Sequence, residues 1–166
     1  MVEKALTCCF TGHRPEKLPW GTDEGDSRCK KAVRELDCCL EGAYLAGCRH
    51  FICGMARGCD TLFAEAVLAL RTKYGDITLE AAIPCDSQPN AWRADERHRY
   101  EHLMAECDEV TFVAHAYTPG CMQRRNEYMV DRSDVLIAMY NGSAGGTMRT
   151  MLYAQRKGLR VVTIDI

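Results

Sequence analysis

Asp134-Val-Leu-Ile-Ala-Met-Tyr-Asn-Gly-Ser-Ala-Gly-Gly-Thr147 is the stretch on which the fold turns. Val135 to Tyr140 is a short apolar run of the kind that forms a strand buried on both faces. Gly142, Gly145 and Gly146 follow, and from Gly146 to Lys157 the pattern is helical, with Met148, Met151 and Leu152 on one stripe. Glycines let the backbone pass close to another group. The free N–H groups of a helix's first turn attract an anion, typically phosphate.

The same grammar occurs twice more. Leu6 to Phe10 reads as a strand and leads into Thr11-Gly12-His13-Arg14-Pro15; His50 to Cys53 reads as another and leads into Gly54-Met-Ala-Arg57-Gly58-Cys-Asp60. Around these, the loop Thr11 to Gly25 carries Pro15, Pro19, Gly21 and Gly25 and reads as turn chemistry. Helices are expected over Asp26–Ala46, with Val33, Leu36, Leu40, Ala43 and Tyr44 inward, and over Cys59–Tyr74, with Leu62, Phe63, Ala66, Val67 and Leu70 inward. Further strands are expected at Thr78–Ile83, Glu109–Val113 and Val161–Ile164, and further helices at Ala94–Glu106 and Met122–Arg132. Strands alternating with helices mean βαβ units. The expected fold is a single α/β, Rossmann-like three-layer domain over residues 1–166: a mostly parallel sheet of six strands with helices on both faces. In such sheets ligands bind beyond the carboxyl ends of the strands.

Composition narrows the class. The chain has 166 residues, 47% hydrophobic and 27% charged, with a net charge of −2. These are values of an ordinary folded domain. The small negative charge makes broad nucleic-acid binding unlikely, because counterion release needs a basic surface. No apolar run approaches the roughly 18 residues of a membrane span, and the N-terminus has no signal-peptide pattern, so a cytoplasmic protein is expected. Eleven cysteines include the adjacent pairs Cys8-Cys9 and Cys38-Cys39 but no Cys-x-x-Cys. They are expected to be reduced packing residues, and no metal site is expected.

The candidate site gathers the three turns. Gly12, Gly54, Gly58, Gly142, Gly145 and Gly146 supply close backbone approach, and Thr147 opens the following helix. Arg14 offers a planar fork suited to phosphate, with Arg57 a second candidate cation. His13 and Asn141 can hydrogen-bond a ligand, and Asp60 can accept from a ribose hydroxyl or a base. Trp92, in the connection after the third strand, can stack a base. Arg124, Arg125 and Asn126 read by default as a solvated helix face.

Together, Thr11-Gly-His-Arg-Pro15, Gly54-x-x-x-Gly58-x-Asp60, Ile83-Pro with Gln88 and Trp92, and Met129-Val-Asp-Arg-Ser-Asp134 through Gly145-Gly-Thr147 resemble the YpsA-like branch of the SLOG superfamily. That superfamily also holds the Lonely Guy phosphoribohydrolases and the DNA-processing DprA proteins. The resemblance runs from Leu6 to Ile164. It implies a Rossmann-like domain that binds a nucleotide or nucleotide-derived ligand, with no established reaction and no required cofactor, and related domains commonly form homodimers. The three glycine turns, with no recognisable nucleophile–base pair, point to a sensor or regulatory module. The Lonely Guy enzymes carry Pro-Gly-Gly-x-Gly-Thr-x-x-Glu, whose Glu takes part in N-glycosidic cleavage. Here the position three after Thr147 is Thr150, which is no carboxylate. Binding without chemistry is therefore the leading expectation. The alternative is a nucleotide N-glycosidase-like hydrolase that uses a relocated carboxylate such as Asp60, Asp86 or Asp131.

Overall fold

A computed structural model describes residues 4–166. Six strands form one sheet: β1 (Leu6–Gly12), β2 (Cys48–Cys53), β3 (Thr78–Ile83), β4 (Glu109–Phe112), β5 (Val135–Tyr140) and β6 (Arg160–Asp165). Between them run α1 (Ser27–Leu45), α2 (Cys59–Lys73), α3 (Ala94–Glu106), α4 (Cys121–Asp131) and α5 (Gly146–Arg156). The spatial order is β4-β3-β2-β1-β5-β6, and every neighbouring pair is parallel. This is the α/β fold expected from the alternation of strands and helices.

The winding decides where a ligand can go. From β1 the chain steps outward to β2, β3 and β4 through α1, α2 and α3. These helices share one face and one large core, which includes Phe10, Leu36, Leu40, Phe51, Phe63 and Leu103. The chain then returns to the other side of β1, and α4 and α5 cover the opposite face, over Cys9, Ile52, Ala82 and Leu136, with Ala154 of α5 packed among them. The order thus reverses between β1 and β5, whose onward connections leave toward opposite faces. A crevice opens at their carboxyl ends.

Local chemistry explains the elements. Val135 to Met139 are all buried because helices cover both faces of β5. Asp26 caps α1 by accepting from the Arg28 N–H at 2.8 Å. Asp134 does the same for strand entry, its carboxylate accepting the Thr7 N–H at 2.9 Å. The loop after β1 contains one 3-10 turn, Pro15–Lys17, where the proline's fixed φ suits the first position. The stripe expected on α5 is rotated. Thr147, Thr150 and Ala154 are buried, whereas Leu152 is exposed. Small residues let α5 approach the sheet closely, and that outweighs the hydrophobicity of Leu152.

All eleven cysteines are free, and most are buried. Cys8, Cys9 and Cys53 occupy central strand positions with no exposure, and burial pushes the Cys9 thiol up to about 12. They pack as small hydrophobes.

Phe63 of α2 stacks on Phe10 of β1 with ring centroids 4.6 Å apart, and both are fully buried. Phe63→Ala is expected to cost about 3–5 kcal/mol. Urea unfolding checks this, and a loss under about 1 kcal/mol would mean that this contact does not anchor α2.

Candidate functional site

A cavity of about 420 Å³ occupies the crevice. Thr11, Gly12, His13 and Arg14 form one wall from the end of β1, and Gly146, Thr147 and Arg149 form another from the first turn of α5. Ala56 and Asp60 close it from the β2 turn, and Met122, Arg125 and Asn126 from α4. Four cationic side chains, Arg14, Lys17, Arg125 and Arg149, line it against two carboxylates, Glu16 and Asp60. The local balance is positive although the chain is negative overall.

The turns are laced to one another. His13 is buried, and its Nε2 accepts the Asn141 N–H at 3.1 Å. That nitrogen must therefore be unprotonated. Nδ1 carries the proton and points at Thr147 Oγ1, 3.5 Å away. Asn141 Nδ2 donates to the Lys17 carbonyl at 3.1 Å, and its Oδ1 accepts from the Ser143 N–H at 2.9 Å. Lys17 Nζ donates to the Ala144 carbonyl at 3.1 Å. Asn141 and Gly142 thus build the turn rather than face the cavity. Gly145 sits at φ 147°, and a Cβ there would lie 2.8 Å from Lys17 Nζ.

The glycines serve different ends. A Cβ at Gly12 would meet the Cys59 side chain at 2.4 Å, and one at Gly54 would meet the Arg125 guanidinium carbon at 2.6 Å. Gly58, at φ 85°, would place its Cβ 2.7 Å from the His13 carbonyl. These three let protein pack against protein. Only at Gly146 would an added Cβ on the cavity wall meet open space.

Arg125 overturns the reading of a solvated helix face at that position. It is 4% exposed. Nη1 donates to the Gly54 carbonyl and, at 3.4 Å, to the Ala82 carbonyl, and Nε donates to Asn126 Oδ1 at 2.9 Å. Nη2 meets the Met122 sulfur at 3.9 Å. Cys121, Arg125 and Met129 fall at every fourth position of α4, so Arg125 stands on the apolar stripe. With Gly54 making room for it, that spacing was the available signal.

Asp60 is 7% exposed and accepts the Ala56 N–H at 3.0 Å. Burial pushes its carboxyl above the usual value, against the pull of the Arg125 charge. No ion pair closes between the two among the described residues.

Other expected residues lie beside the cavity. Arg57 pairs with Glu16 and, at 3.3 Å, with Glu96. Trp92 packs edge-on against Tyr100 with centroids 5.3 Å apart. Arg57 and Trp92 line a smaller pocket of about 110 Å³ that shares Arg14, Ala56 and Met122 with the main cavity. Asp86 pairs with His115 at 3.0 Å, and Asp131 accepts from Tyr153 at 2.7 Å; neither lines the cavity. Thr150 is buried, its hydroxyl donating to the Gly146 carbonyl at 2.8 Å. Lys17 and Arg149 are the cavity cations that sequence reasoning did not single out, and Arg125 is the one it set on a solvated face.

A doubly wound parallel sheet with a crevice at its switch point defines the class, a Rossmann-like α/β domain. The sequence model of the YpsA family, described as the YspA SLOG family, matches residues 8–161, and the chain belongs to that family. The SPbeta prophage-derived protein YoqJ of Bacillus subtilis is 32% identical over 119 residues, 64% of this chain and 70% of that protein. A UPF0398 protein of Bacillus anthracis is 27% identical over 152 residues, 89% of this chain and 80% of that protein. Two solved structures share the fold. DprA of Streptococcus pneumoniae superposes with a TM-score of 0.60 at 17% identity, over 96% of this chain and 50% of that one. DprA of Helicobacter pylori, whose structure concerns single-stranded DNA binding, gives 0.62 at 15% identity, over 95% of this chain and 64% of that one. Among the described residues no helix is long and apolar enough to cross a membrane.

His13 gives a pH prediction. Burial, then the Lys17 charge, pulls its pKa below 6.5. Below that value the unfolded chain takes up a proton that the folded ring refuses, so the neutral ring's contribution is complete above pH 6.5 and is lost as pH falls through the depressed value. The stability advantage of wild type over His13→Gln should therefore shrink between about pH 8 and pH 5 in urea unfolding. An advantage independent of pH would show that the ring's charge state is not involved.

Proposed function

We propose that the protein binds a phosphorylated, nucleotide-derived ligand in the cavity between β1 and β5, as a sensor or regulatory module, with the phosphate at the start of α5. The observation that carries this reading is the pairing of an open helix N-terminus at Gly146 with Arg14, Lys17, Arg125 and Arg149 around one cavity. Free N–H groups and the helix dipole favour an anion there, and the guanidinium groups supply forked donors. Arg125 is held by carbonyls rather than by a carboxylate, so its charge is left to act on a ligand. In this reading Asp60, on the facing wall, would accept from a ribose hydroxyl, and Trp92, at the side pocket, would contact a base.

A second reading has one specific support. The fold neighbours are DprA proteins, one of them described by its single-stranded DNA binding, and a backbone phosphate would suit the same cations. The net charge of −2 weighs against it. A salt-dependent gel shift with single-stranded DNA separates the two readings.

A thermal-shift screen of nucleoside phosphates against the matching nucleosides tests the first reading. A ligand at 100 times its Kd stabilises by about 2.7 kcal/mol, a shift of about 5–11 °C for a domain of this size. Gly146→Val is expected to remain folded by circular dichroism, because its Cβ meets open space at an ordinary helical φ, yet to lose the shift. Arg14→Ala removes an exposed donor that has no ion pair among the described residues. It should weaken phosphorylated ligands by about 1.5–3 kcal/mol and nucleosides little. Normal binding by a folded Gly146→Val would remove the α5 turn from the site.

Chemistry is expected to be negligible. N-glycosidic cleavage develops positive charge on the sugar and needs a carboxylate close by. Thr150 is committed to its own helix. Release of free base from nucleoside monophosphates should stay near the uncatalysed rate. Robust turnover that disappears in Asp60→Asn would instead make Asp60 a relocated catalytic carboxylate.

A further inference from the structure

We propose that His50, Glu80 and Glu109 form a binding site for a first-row divalent transition metal, with zinc as its natural probe. The three residues come from β2, β3 and β4, on the sheet face covered by α4, near the amino ends of the strands and away from the ligand cavity. Their ligand atoms lie within 4.8 Å of one another. His50 Nε2 and Glu80 Oε1 pair with each other at 2.8 Å, and an ion held by both would take the place of the proton between them.

The supporting bonds fall on the other atoms of the same side chains. Thr78 Oγ1 engages His50 Nδ1 at 2.7 Å, which leaves Nε2 turned toward the cluster. Thr111 and Tyr128 both donate to Glu80 Oε2, at 3.0 and 2.8 Å, which leaves Oε1 turned the same way. Metal ligands are held in this manner, with the far atom of each side chain fixed by an outer hydrogen bond.

Electrostatics points the same way. Glu80 and Glu109 are in-register partners on adjacent strands, and like charges directly opposite repel. Glu80 is only 4% exposed, and its charge is met by His50, Thr111 and Tyr128 rather than by water. Glu109 is exposed and has no ion pair among the described residues, so its carboxylate can close over an ion. One imidazole with two carboxylates suits Zn²⁺, Co²⁺ or Mn²⁺; Mg²⁺ and Ca²⁺ prefer all-oxygen sets. Three protein ligands would leave at least one coordination position for water.

The test uses the full chain, stripped with chelator under reducing conditions, with Zn²⁺ and Co²⁺ as probes. Calorimetry should show one saturable equivalent of Zn²⁺. His50→Gln and Glu109→Gln should each weaken it by at least about tenfold with the fold retained by circular dichroism. Glu109 is exposed, so its variant decides the matter even if His50→Gln fails to fold. The Co²⁺ complex should show ligand-field bands without a sulfur-to-metal charge-transfer band, which separates this site from any formed by the eleven cysteines. Absence of saturable binding, affinity unchanged in Glu109→Gln, or a dominant sulfur band would each overturn the proposal.

Discussion

The reversal of winding between β1 and β5 is the constraint on which the rest of the structure depends. Right-handed crossovers send α1 to α3 to one face and α4 and α5 to the other. The two central strands therefore end with their chains parting, and backbone cannot fill the gap. What fills it instead is a set of side chains from four separate segments. His13, Asn141, Lys17 and Thr147 tie the β1 and β5 turns together across the gap. Arg125 reaches in from α4 and ties the β2 turn through the Gly54 carbonyl. The cavity is the space those ties leave open.

Much of the architecture was legible because strands buried on both faces give unbroken apolar runs. Val135 to Tyr140 was read to the residue on that ground, and Thr78 to Ile83 was too, although Thr78 and Glu80 interrupt its apolar run. Edges were less clear. β2 begins at Cys48 and β6 runs from Arg160 to Asp165, longer than their apolar cores, because parallel pairing with β1 and β5 recruits flanking polar residues into the ladder. On α5, hydropathy selected Leu152, whereas packing selected the smaller Thr147, Thr150 and Ala154. A residue's transfer free energy says it can be buried; only the geometry of approach says whether it is.

At the candidate site, the turns were legible and their internal division of labour was not. The glycine pattern located the carboxyl edge of the sheet, where the cavity lies. It could not distinguish a glycine that makes room for protein from one that faces a cavity, since both show the same residue type after a strand. Gly12, Gly54 and Gly58 belong to the first kind, and Gly146 to the second. Arg125 was hidden for a related reason. A cation among Arg124, Arg125 and Asn126 looks solvent-facing until the glycine across from it is matched with its guanidinium. His50, Glu80 and Glu109 were invisible because strand pairing, not sequence spacing, brings them together.

The distribution of thiols gives the chain a built-in record of its own opening. Cys38 is exposed on α1, while Cys8, Cys9, Cys48 and Cys53 lie in the two adjoining strands β1 and β2 with no exposure. A thiol-specific reagent meets the first at once and the others only when the centre of the sheet separates. Cys85 and Cys121 are buried in segments outside the strands and respond to smaller excursions around the carboxyl edge. The order in which the native thiols react therefore maps which layer yields first, with no substitution introduced into the chain.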